Sequence, residues 1–309
     1  MAPHKYRERI INLGKEAGAQ IVLPEKEDPR IGEAAKELSS MGFHILQIED
    51  FQDNVDLYLD YLNSLPFTDN WPTDNLREFL NDPLHFAMAM VACDDADCLV
   101  AGAITSSSEV IRTAIRMIGI RPTSNNVSSI FLMISPDGDN AYTFADCAVI
   151  PDPDSKQLAS IAAESAEFHH FLTGEEPVVA FLSFSTKGSA SHYRVDRVRE
   201  AVEIFGKKYP QIIHDGEVQV DAAIIPEVNK LKIPNSPING EANVLIFPNL
   251  DAGNIAYKIT QRLGGYFAWG PLLQGLNKPV HDLSRGCTVD DIINVSAIAA
   301  LQRNMYANV

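Results

Sequence analysis

The chain has 309 residues, 46% of them hydrophobic and 21% charged, which excludes a disordered or repetitive protein and leaves room for two α/β domains. Its 41 acidic residues against 25 Lys and Arg give a formal net charge of -16, so the basic footprint that nucleic-acid binding requires is missing. Four cysteines make no disulfide framework or zinc site, the first residues lack the apolar core of a signal peptide, and no uninterrupted apolar run approaches the ~18 residues of a membrane span; a cytoplasmic protein without metal or membrane attachment is expected.

The first sixty residues alternate helix and strand. A helical pattern covers 6–17 and a short buried strand covers 19–24, closed by Pro24. The next helix spans 29–41, with Pro29 in its first turn and Gly42 as C-cap, and a second strand spans 43–48. This rhythm implies a parallel sheet with right-handed crossovers. Residues 51–100 then carry ten acids and one base, Arg77, and read as a solvated face and loop. Strand character returns at 99–105, followed by a Ser-Ser-Ser-Glu stretch and a helix at 110–118. Strands are expected at 127–134 and 142–149 on either side of a Pro-Asp-Gly-Asp turn, and a helix at 155–173. The runs 178–184 and 242–247 are continuously apolar, as buried parallel strands are. The last helix is expected at 289–303.

Three polar stretches follow apolar strands, where open α/β sheets place ligands. They are Ser-Phe-Ser-Thr-Lys-Gly-Ser at 183–189, Phe-Pro-Asn-Leu-Asp-Ala-Gly-Asn at 247–254, and the segment from His281 to Asp291. Each is equally a capped βα loop when taken alone. In the third, Arg285 offers a planar fork of donors suited to phosphate or a developing oxyanion, Ser284 adds a hydroxyl, and Gly286 permits close backbone approach. Asp291 is ambiguous, because Thr288 followed three residues later by an acid also makes a helix-capping pair. Cys287 reads as a packing residue, His169 and His170 as a solvated or interface pair without shared helix face, and residues 266–269 as core or interface.

Several segments together resemble the phosphotransacetylase family, the phosphate acetyl- and butyryltransferases. They include 183–189, Arg-Val-Arg-Glu-Ala at 197–201, His-Asp-Gly-Glu at 214–217, Asn-Val-Leu-Ile-Phe-Pro at 243–248, Leu-Gln-Gly-Leu at 273–276 and Asp-Leu-Ser-Arg-Gly-Cys at 282–287. The likeness is nearly continuous from about Val127 onward and thinner before it, where Leu-Pro-Glu at 23–25 and Leu-Val-Ala-Gly-Ala at 99–103 carry it. The resemblance implies two α/β domains with a cleft between them, similar to the isocitrate and isopropylmalate dehydrogenases. Residues 1–123 with 274–309 would form the first domain and 124–273 the second. It further implies the reaction acyl-CoA + phosphate ⇌ acyl phosphate + CoA without a prosthetic group, coenzyme A or acetyl-CoA being a substrate, and a homodimer.

Carried over by position, the family's serine, arginine and aspartate fall on Ser284, Arg285 and Asp291. Substrate-binding arginines fall on Arg112, Arg262 and Arg30. Arg112 and Arg285 would hold the phosphate and the oxyanion, Ser284 the carbonyl or sulfur. Asp291 would take the thiol proton in reverse, although a carboxylate stabilised by a helix N-terminus is a weak base and so partly an orienting group. An oxidoreductase is not expected, since no Gly-x-Gly-x-x-Gly turn is present.

The sequence departs from the family in a shorter stretch between Ile48 and Tyr58, in Ser-Ser-Ser at 106–108 where a His-Thr-Thr-like segment is usual, in His281 where asparagine is common, and above all in one loop. Where members carry a basic Arg-Lys-His-Lys-Gly loop after a tyrosine-rich helix, this chain has Asn-Ser-Leu-Pro-Phe-Thr at 63–68, without a basic residue. Losing one charge-assisted phosphate contact costs about 1.5–3 kcal/mol. Two expectations follow: a working acyltransferase, of acetyl or butyryl groups, with Arg77 as a possible substitute contact, or a catalytically impaired relative that senses CoA or acyl phosphate.

Overall fold

The computed structural model describes residues 5–307. Its backbone divides into two compact units, one made of Ser124–Trp269 with the chain start through Tyr6, the other of Arg7–Thr123 and the chain from Gly270 onward.

The chain opens with α1 (Lys5–Glu16), β1 (Gln20–Val22), α2 (Pro29–Met41) and β2 (His44–Leu46). Local chemistry sets α2 at both ends. The Asp28 side chain accepts from the Arg30 amide, Pro29 occupies the first turn, and Gly42 closes the helix at φ 96°. Next come α3 (Val55–Asn63), α4 (Thr73–Leu80), α5 (Pro83–Ala92), β3 (Cys98–Ala101) and α6 (Ser107–Met117). The acidic stretch is thus mainly helical. Most of its acids lie on solvated faces, while α5 is apolar on all sides and buried from Phe86 to Val91. Arg77 pairs with Asp56 at 3.0 Å on the surface.

The middle of the chain runs β4 (Ser128–Ile134), β5 (Ala141–Ala145), α7 (Ser155–Thr173), β6 (Val178–Leu182), α8 (Tyr193–Lys208), β7 (Ile213–Val218), α9 (Val220–Ile224), α10 (Pro226–Lys232), β8 (Val244–Ile246), α11 (Leu250–Arg262) and β9 (Phe267–Gln274). Along β9 the chain crosses from one unit to the other. It ends with β10 (Val280–Asp282) and α12 (Val289–Ala307).

One sheet is four-stranded in the order β10-β3-β1-β2, all parallel. The other is six-stranded in the order β7-β6-β8-β5-β4-β9. In it β6, β7, β8 and β5 pair in parallel and β4 pairs antiparallel with β5. No helix among the described residues is long and apolar enough to cross a membrane.

The two strands that stop furthest short of what their sequence suggests do so for one physical reason. β3 ends at Ala101, because the Glu25 carboxylate takes the backbone N–H groups of Gly102, Ala103, Ile104 and Thr105. β5 ends at Ala145, because the buried Asp146 carboxylate takes those of Ala148, Val149 and Ile150. An amide bonded to a carboxylate cannot also donate to a strand ladder.

His169 corrects an expectation. It is fully buried rather than solvated, with Nδ1 2.9 Å from Thr143 Oγ1 on β5. Burial holds its imidazole down at about 4, so it is neutral. His170 is exposed, as expected.

Candidate active site

β10, β3 and β1 are neighbours in one sheet, and their carboxyl ends feed the loops that lead into α12, α6 and α2. The chain leaves β1 toward β2 on one side while β3 lies on the other, so this edge is a topological switch point. Three helix N-termini open there, each the positive end of a helix dipole. All three starts are capped locally, α2 by Asp28, α6 by Ser106 and α12 by Thr288 with Asp291.

The loop after β10 is a tight turn. Ser284 Oγ accepts from the Gly286 amide at 3.3 Å, and the Cys287 amide donates to Ser284 O at 2.8 Å. Arg285, at the tip, is exposed, and its guanidinium makes no hydrogen bond or ion pair with any described residue. Asp291 and Thr288 cap α12 reciprocally. Asp291 Oδ2 accepts from the Thr288 amide and hydroxyl, both at 2.9 Å, and the Asp291 amide donates to Thr288 Oγ1 at 3.2 Å.

Arg30 lies beneath that turn. Its Nη1 donates to Arg285 O at 3.0 Å and Cys287 O at 2.7 Å, and its Nη2 to Ala103 O at 3.1 Å. Nε and Nη2 also grip the Asp28 carboxylate, at 3.0 and 2.6 Å. The Arg30 hydrogen bond holds the Asp28 carboxyl below its usual range. Arg112, on α6, is half-exposed and, among the described residues, pairs only with Glu109, one turn earlier, at 3.1 Å. Thus Ser284, Arg285, Asp291, Arg112 and Arg30 all belong to one unit, four of them on loops or helix starts at the same sheet edge. Arg262 is the last residue of α11, in the other unit, and is exposed.

Two acids that sequence reasoning left without a role help build this edge. Glu25 is buried and accepts four amides of the loop after β3, at 2.7–3.2 Å. Asp282, the last residue of β10, is also buried. Burial pushes its carboxyl up to about 7, opposed by the Ser107 hydroxyl and reinforced by the charge of Glu25. Their only sequence signal is an acid at the end of an apolar strand. Two other groups are quiet. Burial raises the Cys287 thiol, and the fully buried His281 accepts from the Leu273 amide at 3.1 Å while burial holds it at about 3.

The other two polar stretches satisfy themselves. In 183–189, Ser185 Oγ and the Gly188 amide both donate to Glu217 Oε1 at 2.8 Å, and Lys187 pairs with Asp215. In 247–254, Asn249 caps α11 by accepting from the Ala252 amide at 3.0 Å, and Asn254 Nδ2 donates to Cys147 O. Among the described residues no group of three or more His, Cys, Asp or Glu could hold a metal ion.

Similarity to known proteins shows the family. A family profile described as Phosphate acetyl/butaryl transferase matches residues 40–300. The chain belongs to that family. A phosphate acetyltransferase of Acetivibrio thermocellus is 40% identical over 96% of this chain and 98% of its own length. One of Thermoanaerobacterium thermosaccharolyticum is 43% identical over 95% and 98%. Among solved structures, a phosphotransacetylase from Streptococcus pyogenes superposes with a TM-score of 0.86 at 36% identity, covering 97% of each chain. The EutD phosphotransacetylase from Staphylococcus aureus does so at 0.83 and 38%, covering 96% of this chain and 99% of its own. Members of the family are acyltransferases, and both units of this member are α/β.

Proposed function

We propose that this chain is a phosphate acetyltransferase, acetyl-CoA + phosphate ⇌ acetyl phosphate + CoA, acting by direct attack within a ternary complex. The relatives named phosphate acetyltransferase support the acetyl group over butyryl. The observation that carries the reading is the free Arg285 guanidinium, held at the tip of the Ser284–Cys287 turn where three helix N-termini open.

In the forward direction a phosphate oxygen forms a bond to the thioester carbon and the carbon–sulfur bond breaks. CoA leaves with the proton that hydrogen phosphate gives up, so charge and atoms balance. Little covalent chemistry falls to the protein, and catalysis is positioning and charge neutralisation. Arg285 and Arg112 neutralise the phosphate dianion and the carbonyl oxygen as it gains charge. Ser284 donates its hydroxyl hydrogen to the carbonyl oxygen or the sulfur, while its lone pair keeps the Gly286 amide. Arg262 contributes a contact to CoA. In reverse, Asp291 uses Oδ1 on the thiol proton while Oδ2 holds the helix start.

CoA and inorganic phosphate are then the partners, no prosthetic group is required, and a cytoplasmic homodimer is the expected form. The test is free-thiol release from acetyl-CoA with phosphate, and with arsenate as alternative acceptor. Turnover with both supports the proposal. No release at high protein concentration, together with saturable CoA binding, selects the sensing relative that the unusual 63–68 segment allows.

A further inference from the structure

Arg30 is the residue whose geometry fits its sequence-based role least. A guanidinium has five N–H donors, fixed in one plane. Here Nε bonds Asp28, one Nη1 hydrogen bonds Arg285 O and the other Cys287 O, and the Nη2 pair bonds Asp28 and Ala103 O. Every donor has an acceptor within the fold, so none remains for a phosphate of CoA.

We propose that Arg30 is a positioning residue, which with Glu25 clamps the loops after β3 and β10 so that the Ser284–Cys287 turn presents Arg285 to substrate. The reading rests on the proposed acyl transfer and deepens it. Arg30 takes carbonyl oxygens from both loops, and Glu25 takes the amides of Gly102–Thr105 from one of them. The loop after β3 is therefore gripped through both its donors and its acceptors. Asp28 anchors the clamp: its carboxylate accepts the Arg30 amide at 2.9 Å as well as the guanidinium, tying the clamp to the capped start of α2. The side-chain charge of Arg30 is neutralised by Asp28, whereas that of Arg285 is not. A lysine offers a compact ammonium with three donors and cannot span these acceptors in one plane.

The test uses Arg30→Lys and Arg30→Gln in the full-length protein, with three readouts. In hydrogen–deuterium exchange, the amides of 102–105 and 285–288 should exchange at least tenfold faster in both variants; unchanged protection overturns the proposal. This arm needs no activity, so it stands even if the wild type releases no thiol and the acyl-transfer reading fails. In kinetics, kcat should fall about ten- to hundredfold, with KM for phosphate and acetyl-CoA within threefold of wild type. In direct titration, the affinity ratio between CoA and 3′-dephospho-CoA should stay within twofold of wild type. A ratio that collapses tenfold, or a KM effect in place of the kcat effect, means that Arg30 touches the ligand and overturns the proposal. Should Arg30→Lys and Arg30→Gln not fold, Asp28→Asn carries the same exchange test in the same direction.

Discussion

Asp291 is both a helix cap and the candidate base, and the two roles differ in size. The cap consists of two bonds into Oδ2 at 2.9 Å and the return bond from the Asp291 amide to Thr288 Oγ1 at 3.2 Å. Thr288→Ala removes the hydroxyl from two of these three bonds and should cost about 1 kcal/mol of stability, the usual worth of an N-cap. Asp291→Asn keeps an oxygen facing the Thr288 amide and hydroxyl and loses only the charge at the helix start, about 0.3–1 kcal/mol. On stability, then, Thr288→Ala is the more damaging change. On rate the order reverses if Asp291 moves a proton, because a positioned base contributes about 10²–10⁴-fold. The assay is acetyl-CoA formation from acetyl phosphate and CoA, on variants shown by thermal unfolding to be equally folded at the assay temperature. Expected is a loss of at least tenfold for Asp291→Asn and less than threefold for Thr288→Ala. Equal losses would refute the catalytic role and leave Asp291 as a cap.

His281 is buried neutral, held at about 3 against an ordinary value of about 6.5, so the unfolded chain binds the extra proton first and stability is lost as pH falls below about 6.5. Its share of that loss is about 2 kcal/mol between pH 8 and pH 5, and His281→Asn should remove it from the pH dependence of urea unfolding; an unchanged slope would contradict the burial argument. Asp282 acts with the opposite sign: its folded value of about 7 lies above the unfolded one, so the native state holds the extra proton and this residue's contribution falls as pH rises from about 4 to 7. Asp282→Asn should flatten that component, read in the same titration, and a steeper fall would refute it. Gly102 sits at φ 110°, and an added Cβ would lie 2.7–2.8 Å from the Leu283 backbone and against the Asp282 carboxylate. Gly102→Ala should therefore lower stability by more than about 3 kcal/mol, checked by chemical denaturation, whereas a loss under 1 kcal/mol would show that the two loops can separate freely.

Much of the scaffold is legible because its signals are local. The apolar runs at 178–184 and 242–247 became β6 and β8, which do pair in parallel. Pro29 and Gly42 delimit α2, and the Thr288–Asp291 pair caps α12, as residue type alone suggests. What failed to show was non-local. The strands at 99–105 and 142–149 were overextended because Glu25 is some eighty residues from the amides it takes, and because Asp146 looks like any loop acid. The burial of His169 depends on Thr143, 26 residues away, and the buried helix α5 is masked by acids on the surrounding surface. At the site, the Ser284–Arg285 motif was visible, but not that the Arg30 donors are all occupied inside the fold. That fact requires knowing where Ala103 and Cys287 place their carbonyls.

The most direct test is Arg285→Gln, assayed for thiol release across a phosphate titration beside an equally folded wild type. A charge-assisted contact of about 1.5–3 kcal/mol corresponds to a ten- to hundredfold loss in kcat/KM for phosphate, and that loss is expected. Activity within threefold of wild type would show that phosphate meets the thioester somewhere other than at this turn.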